Sequence, residues 1–150
     1  MTDVRVEAVP VAEILPLRRA VLRAGLPIEE SRYEQDELAT TLHLAAYDDG
    51  GLVVGCSTWF PDPLDGRDAW RLRGMATAPE VRGSGVGARL VEAGLAAGAE
   101  RGYDLVWCNA RTPAVGFYER FGFEPVGEEF LLVHDVPHYR MLRELPGALG

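Results

Sequence analysis

The sequence predicts a mixed α+β protein, with a mostly antiparallel sheet flanked by helices. Two β-rich runs, residues 42–47 and 52–60, enclose Asp-Asp-Gly-Gly, and Asp-Gly between such runs indicates a hairpin. A glycine-rich loop at residues 83–87 leads directly into a long apolar-periodic helix. Further strand and helix patterns precede and follow these elements. The 150 residues suit a single domain, 1–150.

The charge of the chain limits the partners it can have. The formal net charge is −8 at pH 7, which argues against nucleic-acid or anionic-membrane binding, because neutralising phosphates needs a clustered basic surface. All 15 residues counted as Lys or Arg are arginine. The absence of lysine excludes Schiff-base chemistry and a standard P-loop.

The two cysteines, Cys56 and Cys108, lie in apolar runs and predict free, buried thiols in a reduced compartment. Acidic residues, Asp3 and Glu7, stand near the start of the sequence, with no basic region leading into a long apolar run. No stretch approaches membrane-spanning length. We therefore expect a cytoplasmic protein.

The first 38 residues predict a strand, a helix and an acidic segment. Val4 and Val6 alternate with polar residues and predict a strand that ends by Pro10. An amphipathic helix comes next, terminated near residues 25–27, with arginines on the side opposite its apolar residues. Those arginines are Arg18, Arg19 and Arg23. Residues 29–38 are rich in acids and predict a short helix with a solvated face.

The central third predicts antiparallel strands. The runs flanking residues 48–51 form the hairpin, and residues 61–68 form a solvated turn, since their acids lack the spacing and closing Glu of an EF-hand. Residues 69–77 alternate as a further strand. Gly74 interrupts that strand and indicates a bulge or a close approach by another backbone.

The loop after this strand has the composition of an anion site. Gly83, Gly85 and Gly87 allow close backbone approach, and the helix start behind them presents unpaired N–H groups and a positive dipole end. Arg82 adds a planar fork of donors. A phosphate or pyrophosphate is the expected ligand. The helix behind the loop has a broad apolar face, and its glycines predict close packing on a sheet.

The C-terminal third predicts a strand at residues 105–109 and then a short helix. Thr112 is placed to cap that helix and Gly122 to end it. Tyr118 falls on the same side of the helix as its other aromatic residues and is expected to point inward. Two more strands, 123–133 and 138–145, precede a loose tail at 146–150.

A dinucleotide-binding fingerprint is one interpretation of the loop, because Gly83-x-Gly85-x-x-Ala88 fits the pattern and Asp104 comes about twenty residues later. The position argues against it. Four predicted strands precede the loop, and the remaining chain is too short for the parallel βαβ units required.

The other interpretation joins the loop to the C-terminal third of the chain. The run Arg82-x-x-Gly85-x-Gly87-Ala88, then Asn109, then Ala114-x-x-Phe117-Tyr118-Glu119-Arg120-Phe121-Gly122-Phe123 resembles the GNAT family of acyl-CoA-dependent N-acetyltransferases. The resemblance implies a sheet splayed between its fourth and fifth strands, here residues 69–77 and 105–109, to admit the pantetheine arm. It also implies direct acetyl transfer from acetyl-CoA to an amine, without a metal.

The resemblance also implies the site residues. Tyr118 matches the tyrosine that donates a proton or a hydrogen bond to the departing sulfur. Asn109 is placed either to hydrogen-bond the cofactor or the acceptor, or to end its strand as a structural residue. Backbone groups around Met75, Ala76 and Thr77 are expected to pair with pantetheine. The N–H groups expected to hold the pyrophosphate are those of Arg82, Gly83, Ser84, Gly85, Val86, Gly87 and Ala88.

The sequence leaves the general base and the acceptor open. The strand 69–77 offers Arg71 and Arg73 instead of a carboxylate, which leaves Glu128, His138 or an acid of residues 29–37 as candidates for the base. The acidic segment favours a cationic small-molecule amine, and a homodimer is possible. Because no base is evident, the alternative is a noncatalytic acyl-CoA-binding or sensing module. A zinc site at His134 and His138 is disfavoured, since the intervening Pro137 prevents a helical i, i+4 pair.

Overall fold

A computed structural model describes residues 4–146. Asp3 and most of the predicted tail, residues 147–150, lie outside the described residues. The strands are β1 (Arg5–Ala8), β2 (Leu42–Tyr47), β3 (Val53–Pro61), β4 (Trp70–Thr77), β5 (Leu105–Arg111), β6 (Glu124–Leu132) and β7 (Val136–Glu144). The α-helices are α1 (Val11–Leu22), α2 (Val86–Glu100) and α3 (Val115–Glu119). Short 3₁₀ helices span Ile28–Ser31, Glu34–Glu37, Pro79–Val81, Thr112–Ala114 and Val133–Asp135.

The seven strands form one sheet in the order β1-β2-β3-β4-β5-β7-β6. The β1–β2, β2–β3, β5–β7 and β6–β7 pairs are antiparallel, and the β4–β5 pair is parallel. The predicted mixed, mostly antiparallel α+β fold is therefore confirmed. No helix in residues 4–146 is both long enough and apolar enough to cross a membrane.

The hairpin between β2 and β3 is the one that the Asp-Asp-Gly-Gly sequence predicts. Leu42 lies opposite Trp59, and the ladder runs to the turn at residues 48–51. The Asp48 carboxylate accepts the N–H groups of Gly50 and Leu52, each at 2.9 Å. Gly51 has a φ of +83°, a conformation that favours glycine.

Two compact units divide the chain. The first, unit 1, comprises Met1–Phe60 and Arg73–Ala96, and the second, unit 2, comprises Pro61–Leu72 and Ala97–Gly150. In unit 1 the side chains of Ile14, Ala45, Cys56 and Ala76 form a buried cluster. In unit 2 the corresponding cluster consists of Leu64, Ala69, Leu105 and Trp107, with Leu142 packed against it.

The glycines of α2 let it pack closely, as the sequence predicts. Within unit 1, a Cβ placed on Gly94 would lie 1.9 Å from ring carbons of Trp59. Within unit 2, a Cβ on Gly98 would lie 2.6 Å from the Trp70 ring. Both contacts require the absence of a side chain, so the indoles rest directly on the helix backbone.

Three local predictions are wrong. Arg18 does not lie on a solvent-facing side of α1: it is fully buried, because a carboxylate and polar atoms from elsewhere in unit 1 surround its guanidinium. The acidic segment is not a single solvated helix, since it forms two 3₁₀ turns whose Asp36 is buried. Thr112 does not cap a helix, because its hydroxyl donates to Glu129 at 2.6 Å and the 3₁₀ turn there has no side-chain cap.

Candidate active site

The glycine-rich loop connects β4 to α2 within unit 1. Gly83 and Gly85 have φ values of +84° and +91°, and no atom lies within 4 Å of a Cβ placed on either residue. The backbone conformation, and not crowding, therefore requires glycine at both positions. Arg82 and Ser84 are exposed beside them.

The backbone N–H groups of this loop are divided into two sets. Those of Arg82 and Ser84 donate inside the loop, to the carbonyls of Pro79 at 3.3 Å and Val81 at 3.1 Å. The first helical bond of α2 runs from Arg89 N–H to Gly85 O at 3.1 Å. The N–H groups of Val86, Gly87 and Ala88 precede it and have no helical acceptor. The start of α2 thus presents the unpaired donors expected of an anion site.

Strand β4 leads into this loop. Ala78 N–H, directly after the strand, donates to Val54 O of β3 at 2.9 Å. Because amide groups alternate between the two edges of a strand, those of Met75 and Thr77 point to the edge away from β3, whereas that of Ala76 points toward it. The parallel ladder to β5 pairs Trp70 with Val106 through Leu72 with Cys108, and Met75 and Thr77 lie beyond its last pair.

Gly74 has two reasons to be glycine. Its φ is +66°, and a Cβ there would lie 3.1 Å from both the Arg18 guanidinium and the Tyr33 ring. Tyr33 is enclosed by two guanidiniums: the Cζ of Arg18 lies 4.1 Å, and that of Arg73 3.8 Å, from its ring centroid. The sequence predicts a bulge or a close approach by another backbone at Gly74, whereas the atoms that would meet a Cβ there belong to these two side chains, Arg18 and Tyr33.

A buried polar network lies beneath Tyr33. Arg18 donates to the Asp36 carboxylate at 2.9 Å and to Thr58 Oγ1 at 2.7 Å. His43 bonds Thr58 Oγ1 and the Asp36 carbonyl, each at 2.9 Å. Since a carbonyl only accepts, the His43 Nε2 carries a proton. The Asp36 carboxylate is thus held by the Arg18 guanidinium and the Tyr33 N–H, which makes it a poor candidate for a general base among the acids of residues 29–37.

This network was not predicted from the sequence, although a signal was present. Arg18 follows Ile14 by four residues and Leu15 by three, the spacings that place residues on one helical face. Asp36 lies three residues after Tyr33 and accepts its backbone N–H at 2.8 Å, the spacing of a helix-capping contact. A helical wheel centred on Ile14 would have placed Arg18 inside.

Tyr118 lies in α3 and belongs to unit 2. It is 6% exposed, and its ring contacts Phe117 and Phe123 edge-on, with centroids 5.1 and 5.6 Å away. Burial, with a contribution from Cys108, raises the pKa of Tyr118 well above 10. Within residues 4–146 its hydroxyl makes no hydrogen bond. Tyr118 is therefore a protonated phenol whose donor is uncommitted, pointing inward as predicted.

Gly122 ends the helical segment, as its position predicts. It has a φ of +85°, and the N–H groups of Phe121 and Phe123 both donate to Tyr118 O. Arg143 on β7 donates to Phe121 O at 3.0 Å, which ties the helix end to the sheet of unit 2. These bonds fix the backbone from which the Tyr118 side chain projects.

Asn109 lies within β5 and not at its end, because the strand continues to Arg111. Its Oδ1 accepts a hydrogen bond from Arg140 Nε at 3.4 Å, and both residues are half-buried. Arg71, also in unit 2, donates to Asp62 at 3.1 Å. Arg140 was not predicted as a site residue, since nothing in the pattern of one strand shows which residue lies opposite it.

The remaining candidates for a base differ in exposure. Glu128 is exposed in the irregular part of β6, where the register with β7 shifts between Val126 and Phe130. His138 is half-buried, and its Nδ1 bonds the carbonyl of Val136 at 2.7 Å. Within the part of the chain that the structure describes, no group of three or more His, Cys, Asp or Glu residues could hold a metal ion.

Comparison with known proteins agrees with this geometry. Residues 39–125 match the family described as "Acetyltransferase (GNAT) domain". The uncharacterized N-acetyltransferase YitI of Bacillus subtilis (strain 168) is 33% identical over 135 residues, which cover 88% of this chain and 87% of YitI.

Two solved structures show the same fold. An acyl-CoA N-acyltransferase from Pseudomonas aeruginosa is 25% identical, with a TM-score of 0.72 over 95% of this chain and 99% of that one. An aminoglycoside 6'-N-acetyltransferase complexed with coenzyme A is 19% identical, with a TM-score of 0.75 over 95% of this chain and 98% of that one.

The fold and the matched residues define an acyl-CoA-dependent acetyltransferase. The chain belongs to the GNAT family.

Proposed function

We propose that this protein is a cytoplasmic, single-domain N-acetyltransferase that transfers the acetyl group of acetyl-CoA directly to the primary amine of a small molecule. The observation that carries the proposal is Tyr118: a buried phenol, protonated far above neutral pH, with an uncommitted hydroxyl at the position of the family's tyrosine. Support for the cosubstrate comes from the solved aminoglycoside 6'-N-acetyltransferase of the same fold, which holds coenzyme A.

The residues proposed to bind the cosubstrate lie in unit 1. The N–H groups at the start of α2, with Gly83, Gly85 and the Arg82 guanidinium, bind the pyrophosphate through charge-assisted hydrogen bonds. Because the N–H groups of Arg82 and Ser84 already donate within the loop, Arg82 contributes through its side chain. The Ser84 hydroxyl also donates within the loop, to the Val81 carbonyl, so the role of Ser84 is to hold the shape of the loop. The outward amide groups of Met75 and Thr77, on either side of Ala76, pair with the pantetheine arm.

Unit 2 supplies the proposed acid. The neutral amine attacks the thioester carbonyl, so that a C–N bond forms and the C–S bond breaks. Tyr118 gives its proton to the thiolate that leaves as coenzyme A, and the proton lost by the amine returns to the phenolate through solvent. No covalent enzyme intermediate is involved. Burial raises the pKa of Tyr118, so the phenol holds its proton near neutral pH and can give it to the thiolate as the C–S bond breaks.

A noncatalytic acyl-CoA-binding module is the second candidate. It is favoured by the arginines of β4, since Arg71 is paired with Asp62 and Arg73 is stacked on Tyr33, where a base is otherwise expected. Incubation with acetyl-CoA and a panel of small amines, with release of free thiol as the measurement, separates the two. Amine-dependent thiol release supports the enzyme. Tight coenzyme A binding by calorimetry, with no release for any amine, supports the module.

A further inference from the structure

Four polar or aromatic side chains share one face of the sheet in unit 2. Residues directly opposite each other in a ladder project to the same face. Arg71 lies opposite Trp107, Asn109 lies opposite Arg140, and Trp107 and Asn109 are two residues apart on β5. Arg71, Trp107, Asn109 and Arg140 therefore lie together on that face.

The arginines around this face differ in their partners. Arg67 binds Glu144 at 2.9 Å and Asp104 at 3.3 Å, and Arg71 binds Asp62 at 3.1 Å. Arg140 is different: no carboxylate of residues 4–146 lies within 4.0 Å of its guanidinium. It is thus a half-buried cation without a neutralising anion, in a protein whose net charge is −8.

Two contacts hold the Arg140 guanidinium in place. Its Cζ lies 4.9 Å from the Trp107 ring centroid, and its Nε donates to Asn109 Oδ1 at 3.4 Å. The guanidinium has five N–H donors, and only the Nε donor is used by these contacts. The two Nη groups, which form the fork that matches a carboxylate, remain available.

Among residues 4–146, no carboxylate pairs with the two Nη groups of Arg140. Its opposite residue on β6 is Val126, which is apolar. Glu124, two residues before Val126, lies opposite Leu142 and makes no ion pair with Arg140. The indole beneath the guanidinium excludes water from one of its sides, which strengthens a charge interaction on the other.

We infer that Arg140, assisted by Asn109, binds a carboxylate of the amine acceptor, so that the substrates are small amines that also carry a carboxylate. The inference rests on the proposed function. It differs from the expectation of a cationic acceptor, which was based on the acidic segment. The Asp36 carboxylate of that segment is already neutralised by Arg18. A planar carboxylate suits the fixed fork of an arginine better than a point cation or a neutral amide.

The test compares matched amines that differ only in this group. Each proteinogenic amino acid is compared with its α-carboxamide, and spermidine serves as an amine without a carboxylate; thiol release from acetyl-CoA is measured at pH 7. At least one amino acid is expected to react with a kcat/KM about tenfold or more above that of its carboxamide. The amine of the carboxamide is the less basic of the pair, so a preference for the carboxylate cannot arise from amine ionisation.

Variants then assign the preference to Arg140. Arg140→Gln is expected to raise KM for the amino acid about 10- to 100-fold, with kcat and the KM for acetyl-CoA little changed, because a charge-assisted contact made in the ground state is lost. The carboxamide rate is expected to stay the same. Arg140→Lys keeps the charge but loses the two-donor fork of the guanidinium. Its KM for the amino acid is expected to lie between those of the wild type and Arg140→Gln. Arg101→Gln, one residue beyond the C-terminal end of α2, is the matched control and should leave all constants unchanged.

Three results would overturn the inference. They are equal use of amino acids and carboxamides, transfer to carboxamides or spermidine alone, and an Arg140→Gln effect of the same size on both members of a pair. In each of these cases acetyl transfer still occurs, so the proposed function stands. Absence of thiol release with every amine overturns both proposals together.

Discussion

The guanidinium of Arg18 and the carboxylate of Asp36, eighteen residues apart in the chain, form a fully buried ion pair with contacts of 2.9 and 3.2 Å. Arg18 also donates to Ser31 O at 2.8 Å. One pair thus joins α1 to both 3₁₀ turns of the acidic segment. Further contacts attach the same segment to unit 1: the Tyr33 ring lies against Arg18 and Arg73, and His43 bonds the Asp36 carbonyl.

Removing the charge of Asp36 is therefore expected to destabilise the protein severely. Asp36→Asn leaves Arg18 as an uncompensated buried cation, and we expect the free energy of unfolding to fall by about 3–5 kcal/mol. Urea denaturation followed by circular dichroism measures it. Glu37→Gln, the same kind of change on an exposed neighbour, should cost less than about 0.5 kcal/mol. Equal effects of the two variants would contradict the assignment.

Tyr118→Phe tests the proposed acid. Loss of the hydroxyl is expected to lower kcat by about 10²- to 10⁴-fold, because a positioned proton donor is lost, with little change in affinity for acetyl-CoA. Steady-state kinetics and calorimetry provide the two measurements. Tyr103→Phe is the matched control, since that ring stacks on Trp70 in unit 2 with centroids 5.3 Å apart and has no proposed role in catalysis. Unchanged turnover in Tyr118→Phe would remove it from the mechanism.

Arg82→Ala tests the anion site at the start of α2. We expect the affinity for coenzyme A to fall about tenfold, because a charge-assisted contact to phosphate is lost, and the difference from the wild type to shrink as salt is added. Titration calorimetry at two ionic strengths measures both effects. Arg101→Ala, at the opposite end of the helix region, serves as the control. Identical affinities of wild type and Arg82→Ala at low salt would refute the contact.

Gly94→Ala tests the packing of α2 in unit 1. The added methyl would overlap the Trp59 ring, and we expect a loss of about 1–3 kcal/mol in the free energy of unfolding. Gly116→Ala is the contrasting variant. It lies in α3 with no atom within 4 Å of an added Cβ, so it should be neutral or stabilise by up to about 1 kcal/mol through helix propensity. Thermal denaturation of both variants should give shifts in opposite directions, or a shift for Gly94→Ala alone.

The two buried thiols predict a dependence on pH. Burial raises the pKa of Cys56 and of Cys108 to about 12, from an ordinary value of 9.0. The folded protein therefore holds thiol protons that the unfolded chain releases above pH 9, so these groups contribute to a fall in stability as the pH rises from 9 toward 12. At pH 8 we expect iodoacetamide to alkylate neither thiol of the native protein, and both after unfolding, as counted by mass spectrometry. Rapid native alkylation would contradict their burial.

The strand and helix order was predictable because it depends on local patterns. Alternation, the Asp-Gly turn and the glycine loop each act within a few residues, and so does the inward position of Tyr118. The partners of side chains were not predictable in the same way. Arg18 meets Asp36, and Arg140 meets Trp107, only after strands and turns distant in sequence are brought together. From local sequence alone an arginine side chain is expected to lie in solvent. Its burial becomes favourable only when a carboxylate from a distant part of the sequence pairs with it.

Some predicted ends of strands and helices were wrong for a related reason, namely contacts with residues distant in sequence. The pattern 105–109 ends at a polar residue, yet β5 continues to Arg111 because β7 supplies backbone partners as far as His138. Thr112 has the residue type of a helix cap, but its hydroxyl donates a hydrogen bond to Glu129 on β6 instead. In both cases a contact made across the sheet outweighs a local preference.

The indole of Trp107 lies beneath two guanidiniums, those of Arg71 at 4.3 Å and Arg140 at 4.9 Å. Trp59 and Trp70, the other two tryptophans, are fully buried. In the tryptophan fluorescence of the protein, the emission of Trp107 therefore depends on the charge at Arg140. The emission of Trp59 and Trp70 forms a constant background. A molecule that neutralises that charge changes the local field on the indole and shifts its emission. The protein thus contains its own optical probe for acceptor binding, which can be used without a label and before any turnover.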